Sequence, residues 1–376
     1  MLKKQFKNTN TIPSVLGLGM MRLPKAKEGS EDIDRAKAAE MVEYAYTHGI
    51  NYFDTAYRYH AGDSELFAGE ALKKYPRESF YLASKMPIWM AETPKDVERI
   101  FKDQLERCQV DYFDFYLCHA QNKDNFKKIR EFGAYEFLSK MKEEGKIRNL
   151  GFSFHDTPDV LREIVETYSW DFAQIQLNYL DWEMQDAKAQ YEILTEHGIP
   201  VMVMEPVRGG SLASLCEESD RMLKEAEPDK SIASWAIRYA ASLPNVQVVL
   251  SGMSNMEQLQ DNIATMTDFK PLSDTDRKVL EEALDVYRKN NLIPCTGCRY
   301  CMDCPFGVDI PRVFKIYNQY KISKNAEGFL RDYKELGEAG PESCRACGAC
   351  MQHCPQKIQI PERMKEIAAA AKAMEG

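Results

Sequence analysis

Eight of the chain's 11 cysteines fall between Cys295 and Cys354. They form two runs, Cys295-Thr-Gly-Cys298-Arg-Tyr-Cys301-Met-Asp-Cys304-Pro and Cys344-Arg-Ala-Cys347-Gly-Ala-Cys350-Met-Gln-His-Cys354-Pro. A thiolate at every third position can wrap three corners of an iron–sulfide cube, while the cysteine before proline reaches away. Paired Cys-x-x-Cys units also build zinc ribbons, but evenly spaced runs that end twice in Cys-Pro fit iron–sulfur chemistry better. Gly297 and Gly348 suit a tight wrap. A second set of reactive types lies far upstream. Asp54, Lys85 and His119 close three successive apolar runs, and Tyr59 stands five residues past Asp54. A carboxyl, a phenol, an amine and an imidazole at neighbouring strand ends are a set for moving protons.

The elements that must position these residues alternate. Short apolar runs at 14–20, 50–55, 80–85, 113–119, 149–154, 172–178, 200–205 and 246–251 predict strands. Amphipathic stretches between them predict helices such as 34–48, 94–108, 134–144, 158–168, 187–197, 231–242 and 255–266. His48-Gly49, Glu144-Gly145 and His197-Gly198 place glycine where a helix takes a left-handed cap. Repeated βα units predict a parallel sheet with helices outside, and eight of them fit a closed (β/α)₈ barrel. An open dinucleotide fold would carry GxGxxG after its first strand, whereas Leu16-Gly-Leu-Gly-Met-Met-Arg22 lacks the third glycine. One more helix is expected at 272–291, opened by Ser273. The division read from the sequence is a barrel over 1–290 and a small cysteine-rich domain over 291–376. The latter includes helices near 312–320 and 361–374.

Composition narrows the function classes. Lys and Arg number 49 against 58 Asp and Glu, a net charge of −9, which disfavours nucleic acid as a partner. No apolar run is long enough to span a bilayer, and the N-terminal residues are polar rather than secretory. Cysteines clustered in one segment speak for metal in a reducing compartment and against a disulfide framework. A cytoplasmic location is expected.

The cysteine runs resemble those of bacterial two-cluster ferredoxins, in which the fourth cysteine of each run binds the other cluster. That resemblance implies two [4Fe-4S] clusters, one held by Cys295, Cys298, Cys301 and Cys354, the other by Cys344, Cys347, Cys350 and Cys304. The first run has only two residues before its last cysteine. Over roughly residues 12–290 the chain resembles the aldo-keto reductase superfamily, on Phe53-Asp54-Thr-Ala with Tyr59, then Lys85, then His119. The resemblance implies reduction of a small carbonyl compound and a tetrad of Asp54, Tyr59, Lys85 and His119. A free phenol titrates near pH 10. Lys85, held by Asp54, is expected to lower that value, and His119 to orient the carbonyl oxygen. Tyr59 is the expected general acid. His60 is a competing imidazole, and His197 reads as a helix-end residue.

The same resemblance implies NAD(P)H across the later strands, with Ser153, Gln174, Glu205, Arg208, Gly209, Gly210, Ser251, Gly252, Ser254, Asn255, Gln258 and Asn262 as its contacts. Phe154 stands where many relatives have Asn, and Met204 where many have an aromatic residue. The positions of the usual cationic clamp for a 2′-phosphate are Gly252 and Gln258, which argues against a strong NADPH preference. Hydride carries two electrons and a cluster one, so FMN is a possible intermediary at the barrel's phosphate site. A redox partner protein is the other outlet for the clusters. Two alternatives follow: a flavin- or ferredoxin-linked reductase of an acceptor such as an enone, and an electron-transfer protein with an inactive barrel. Trp89, Tyr57 and Trp182 are aromatic candidates for substrate contact or for core.

Overall fold

A computed structural model describes all residues except 8, 28–29, 291, 303 and 376. Its eight parallel strands close a barrel in chain order: β1 (Leu16–Gly19), β2 (Tyr52–Asp54), β3 (Tyr81–Met86), β4 (Phe113–Gln121), β5 (Ile147–Phe154), β6 (Phe172–Gln176), β7 (Val201–Met204) and β8 (Val246–Ser251). The predicted strands are all present; β1, β2 and β7 end one residue early and β6 two, the last two for visible local reasons. Asn178 accepts from the amides of Leu180 and Asp181 at 3.0 and 2.8 Å, a turn that stops β6. Glu205 takes φ +55 and stops β7.

The barrel helices are α1 (Arg35–Thr47), α2 (Asp63–Leu72), α3 (Pro94–Arg107), α4 (Lys123–Glu131), α5 (Ala134–Glu143), α6 (Pro158–Thr167), α7 (Asp181–Met184) and α8 (Ala187–Glu196). After α9 (Glu217–Ala226) come α10 (Ile232–Ala241), α11 (Met256–Thr267) and α12 (Asp274–Arg288). Gly49, Gly145 and Gly198 have φ of +93, +76 and +63, the left-handed caps their spacing implies. Thr93 with Asp96 and Ser273 with Asp276 form capping boxes at the starts of α3 and α12. The barrel interior holds Tyr52, Ala83, Phe115, Leu117, Phe172, Met202 and Val248. Phe6, from an N-terminal segment bridged at Lys3 and Ser14, is fully buried and packs edge-on against Phe115 and Phe172 at 5.3 and 6.4 Å. It closes the end where the strands begin, and its burial contributes about 1.5–3 kcal/mol. The opposite end is left for chemistry.

The chain forms two compact units, Met1–Val207 with Ala233–Leu272, and Arg208–Ile232 with Ser273–Gly376. Segments 208–232 and 273–290, which the sequence pattern groups with the barrel, therefore pack with the cysteine-rich part. Ser219 on α9 donates to the carbonyl of Ala283 on α12 at 2.7 Å, and Leu223, Leu280 and Leu284 are buried. The second unit continues with α13 (Ile310–Ser323), α14 (Ala326–Lys334), α15 (Ala349–Gln352) and α16 (Ile360–Glu375). Its core is built from Ile293, Val308, Ile310, Val313, Phe314, Phe329, Met364 and Ile367, with the cysteines at its margin. Among the described residues no helix is long and apolar enough to cross a membrane.

Candidate active site

Strand register assembles the barrel site. Asp54 on β2 faces Ala83 on β3, and Lys85 stands two residues further; Lys85 faces Leu117 on β4, and His119 again stands two further. Residues two apart share a face, and the tilt of barrel strands brings such staggered positions to one level. The register between β4 and β5 shifts between Cys118 and Gln121, with Ala120 at φ +50. A bulge of this kind re-aims a side chain, and His119 lies inside it. Tyr59 opens a tight turn, Tyr59–Gly62, whose last three residues are left-handed at φ +53, +53 and +98. For His60 and Ala61 that conformation costs roughly 1–2 kcal/mol each.

The four predicted residues meet. Lys85 Nζ donates to Asp54 Oδ1 at 2.6 Å and to the Thr55 carbonyl at 2.8 Å. Their side chains are 1% and 5% exposed, so the pair is removed from water. Lys85 Nζ lies 4.9 Å from the centre of the Tyr59 ring. The Tyr59 ring meets His119 edge-on at 6.0 Å, and Trp89 lies 5.0 Å from His119. Trp89 is more than a third exposed, as a residue at a mouth would be.

Burial dominates the titration of the site. It pushes the Asp54 carboxyl up and the Lys85 ammonium down, and their pairing opposes both shifts. Burial also holds the Tyr59 hydroxyl well above its ordinary value, reinforced by the charges of Asp54 and Glu205 and opposed by Arg22. The expected lowering by Lys85 does not appear, because Asp54 neutralises that ammonium at contact distance. The phenol is thus protonated at neutral pH. Burial, then Lys85 and His155, push His119 well below the usual imidazole range, so its ring is neutral. His119 Nδ1 and Asp54 Oδ2 are buried and have no hydrogen-bond partner among the described residues. His60 is held elsewhere, its Nδ1 3.0 Å from the Glu31 carbonyl. His197 Nδ1 lies 2.8 Å from the Ile193 carbonyl at the end of α8, the structural place its sequence position implies.

Arg22 is a residue the sequence reading missed. Its stem crosses Gly252, where an added Cβ would lie 3.0 Å from the Arg22 Cδ, and its guanidinium pairs with Glu205 at 3.3 Å. The aliphatic stem of Arg22, from the turn after β1, therefore lies over Gly252, with its charge directed to Glu205. The signal for Arg22 in the sequence is a basic residue just past the end of the first strand.

The expected dinucleotide contacts divide between the two units. On β5 and β6, Ser153 pairs in register with Gln174. Ser153 Oγ accepts from the Ala120 amide at 2.7 Å, and Gln174 Oε1 is buried with no partner among the described residues. Such an orphaned acceptor fits the amino group of a carboxamide. After β8, Asn262 donates to Ser251 Oγ at 3.0 Å, Asn255 caps α11 by accepting from the Gln258 amide at 2.9 Å, and Gln258 Oε1 accepts from the Ser254 amide at 2.8 Å. A helix N-terminus offers backbone N–H groups suited to an anion. Arg208, Gly209 and Gly210 lie in the second unit. Arg208 donates to the Pro294 carbonyl at 3.4 Å, and a Cβ on Gly209 would lie 1.9 Å from the Thr296 oxygen. Arg208 and Gly209 are thus occupied by the first cysteine run.

Within the second unit the two cysteine runs lie close to one another. Burial pushes the Cys301 thiol up, reinforced by Cys298, Cys295 and Cys354. Burial likewise raises Cys350, reinforced by Cys304, Cys344 and Cys347. Cys354 thus lies near the first run and Cys304 near the second, despite the shorter spacing before Cys304. Cys304, Cys344, Cys347 and Cys350 line a small pocket walled by Phe306, Val308, Ile310, Ile360 and Met364. A ring of thiols with apolar walls fits a sulfide-bridged cluster. Gly297 and Gly348 have φ of +66 and +76 with nothing within 4 Å of an added Cβ, so backbone conformation rather than crowding calls for glycine there.

The aldo/keto reductase family model matches residues 15–285. The chain belongs to the aldo/keto reductase family. A 4Fe-4S dicluster domain model matches residues 294–358 of this aldo/keto reductase. It is 26% identical over 325 residues to an NADH-specific methylglyoxal reductase of Escherichia coli, covering 75% of this chain and 98% of that one. A solved structure of the aldo-keto reductase AKR11C1 from Bacillus halodurans is 28% identical with a TM-score of 0.62, over 75% of this chain and 96% of that one. An aldo-keto reductase from Klebsiella pneumoniae in complex with NADPH shares the fold at 22% identity, with a TM-score of 0.61 over 76% of this chain and 96% of that one. This aldo/keto reductase is thus an oxidoreductase barrel joined to an iron–sulfur domain.

Proposed function

We propose that the protein reduces a small aldehyde or ketone, with Tyr59 giving the proton and NAD(P)H the hydride. The observation that supports this reading is the buried Lys85–Asp54 pair lying under the Tyr59 ring, with neutral His119 alongside. A bound reduced nicotinamide would supply two electrons and a hydrogen to the carbonyl carbon. Tyr59 is protonated before the reaction and donates from its hydroxyl to the carbonyl oxygen. A neutral His119 offers the same oxygen a hydrogen bond without competing for the proton. Lys85 and Asp54 place a compensated charge beneath the phenol, ready to stabilise a phenolate once the proton leaves. Ser153 and Gln174 would hold the carboxamide, and Ser251, Gly252, Ser254, Asn255, Gln258 and Asn262 the phosphate end. Glu205, paired with Arg22, borders both.

We further propose that Cys295, Cys298, Cys301 and Cys354 hold one [4Fe-4S] cluster and Cys344, Cys347, Cys350 and Cys304 the other. Both stand outside the hydride step, because each takes one electron at a time; they would serve a separate one-electron partner protein. No flavin is needed on this reading. The test is turnover of methylglyoxal with NADH and NADPH by anaerobically purified protein, by its Tyr59→Phe variant and by a Cys347→Ser variant. Tyr59→Phe should lose turnover while still binding the dinucleotide, and Cys347→Ser should lose iron while retaining carbonyl reduction. Full turnover by Tyr59→Phe would overturn the assignment of the proton donor.

A further inference from the structure

Beside Lys85 lies a buried polar cluster that the reaction as described does not use. Glu65 on α2 is wholly buried. Its Oε1 accepts from Ser84 Oγ at 2.5 Å and from Gln104 Nε2 at 2.6 Å, and its Oε2 accepts from Arg107 Nε at 2.9 Å. Gln104 Nε2 also donates to Ser84 Oγ and to the backbone carbonyl of Lys85, both at 3.0 Å. Tyr116 donates to Gln104 Oε1. At the other end the guanidinium of Arg107 donates to the Gly62 carbonyl.

A carboxylate taken entirely out of water is retained only when its partners compensate it. Burial pushes Glu65 up, while Ser84, Gln104 and Arg107 pull it back, and its charge in turn favours the ammonium form of Lys85. The two ends of the cluster explain its placement. One holds the Ser84 side chain and the Lys85 carbonyl. The other grips Gly62, the last of the three left-handed residues that carry Tyr59. The strained turn is held at His60, whose Nδ1 lies 3.0 Å from the Glu31 carbonyl, and at its far end, where Gly62 is held from α3. Arg107 anchors the Gly62 end of the turn, and Glu65 orients Arg107.

We propose, on the reading above that Tyr59 is the proton donor, that Glu65 is a positioning residue: through Arg107, Ser84 and Gln104 it sets the distance between the Tyr59 phenol and the Lys85 ammonium. It touches neither substrate nor dinucleotide. Loss of its charge lets the Tyr59 turn relax and the phenol drift from its ammonium, and a displacement near 1 Å lowers turnover by about 100-fold.

The experiment compares wild-type protein with Glu65→Gln, Arg107→Lys and Tyr59→Phe, each with intact iron content. Arg107→Lys keeps the cation but cannot reach Glu65 and Gly62 together, so it answers the question if Glu65→Gln does not fold. The readouts are kcat and KM for methylglyoxal per dinucleotide-binding site, and amide hydrogen exchange across residues 59–62. Glu65→Gln and Arg107→Lys should lower kcat by about 10- to 100-fold with KM and dinucleotide affinity unchanged, and should speed exchange in the 59–62 turn. A merely structural residue would reduce the number of binding sites and leave kcat per site untouched. If Tyr59→Phe loses turnover while both positioning variants keep wild-type kcat per site and slow exchange, the positioning role is overturned and the proton donor stands. If Tyr59→Phe turns over normally, both fall together.

Discussion

Replacing Lys85 with Met isolates the energetics of the site. The side chain keeps much of its volume but loses its charge, and two hydrogen bonds go with it, to Asp54 at 2.6 Å and to the Thr55 carbonyl at 2.8 Å. Asp54 then keeps a buried carboxyl with both oxygens unpartnered, since Oδ2 has no partner already. Breaking a buried pair in this way costs about 3–5 kcal/mol. The deficit depends on pH in a definite sense. Burial already raises Asp54, with Lys85 opposing; removal of Lys85 raises it further. A carboxyl whose folded pKa exceeds its unfolded one binds more protons when folded, so its stability contribution falls as pH rises from about 4 towards the folded value. Lys85→Met should therefore be closest to wild type near pH 5 and furthest from it near pH 8. Urea denaturation followed by tryptophan fluorescence at the two pH values measures this. A variant within about 1 kcal/mol of wild type at pH 8, or one with the same deficit at both pH values, would refute the idea that Asp54 depends on Lys85 for its charge.

Other outcomes follow from the same geometry. Tyr59→Phe should lower kcat by about 10²- to 10⁴-fold without weakening dinucleotide binding, measured by stopped-flow turnover and fluorescence titration. Trp89→Ala, at the mouth beside His119, should raise KM for the carbonyl substrate more than it lowers kcat. Gly209→Ala meets the Thr296 oxygen at 1.9 Å and sits at φ +65; it should lower the iron and sulfide retained per chain, assayed after anaerobic purification. Burial lowers His155 to about 4, so the folded form holds it neutral and loses that contribution as pH falls from 6.5 towards 4. Proton NMR should find no histidine from the 119/155 pair titrating between pH 6 and 8.

Much of the fold was legible because parallel barrels write their pattern locally. Each strand is an apolar run, each helix is amphipathic, and Gly49, Gly145 and Gly198 mark helix ends. The tetrad was legible for a related reason, since Asp54, Lys85 and His119 each end a run and the register stacks run ends at one level. The pattern does not single out α2, because its inward face carries Ser64 and Glu65, both buried, and a buried carboxylate hides the helical period. Arg22 escaped because its partners, Gly252 and Glu205, are more than 180 residues away in sequence. The titration of Tyr59 could not be read at all: it follows from how much water is excluded and from how fully Lys85 is compensated, and neither is local.

The loop after β7 carries a last consequence. Arg208–Ile232 packs with residues that the ribosome makes much later, since Gly209 rests on Thr296 and Ser219 on Ala283. A nascent chain must therefore hold this stretch open through α10, β8 and α11 before its neighbours emerge. A protein cut after residue 290 would keep the Ser219–Ala283 bond but leave Arg208 and Gly209 without Pro294 and Thr296, so trimming the iron–sulfur part should wound a piece of chain threaded through the middle of the sequence.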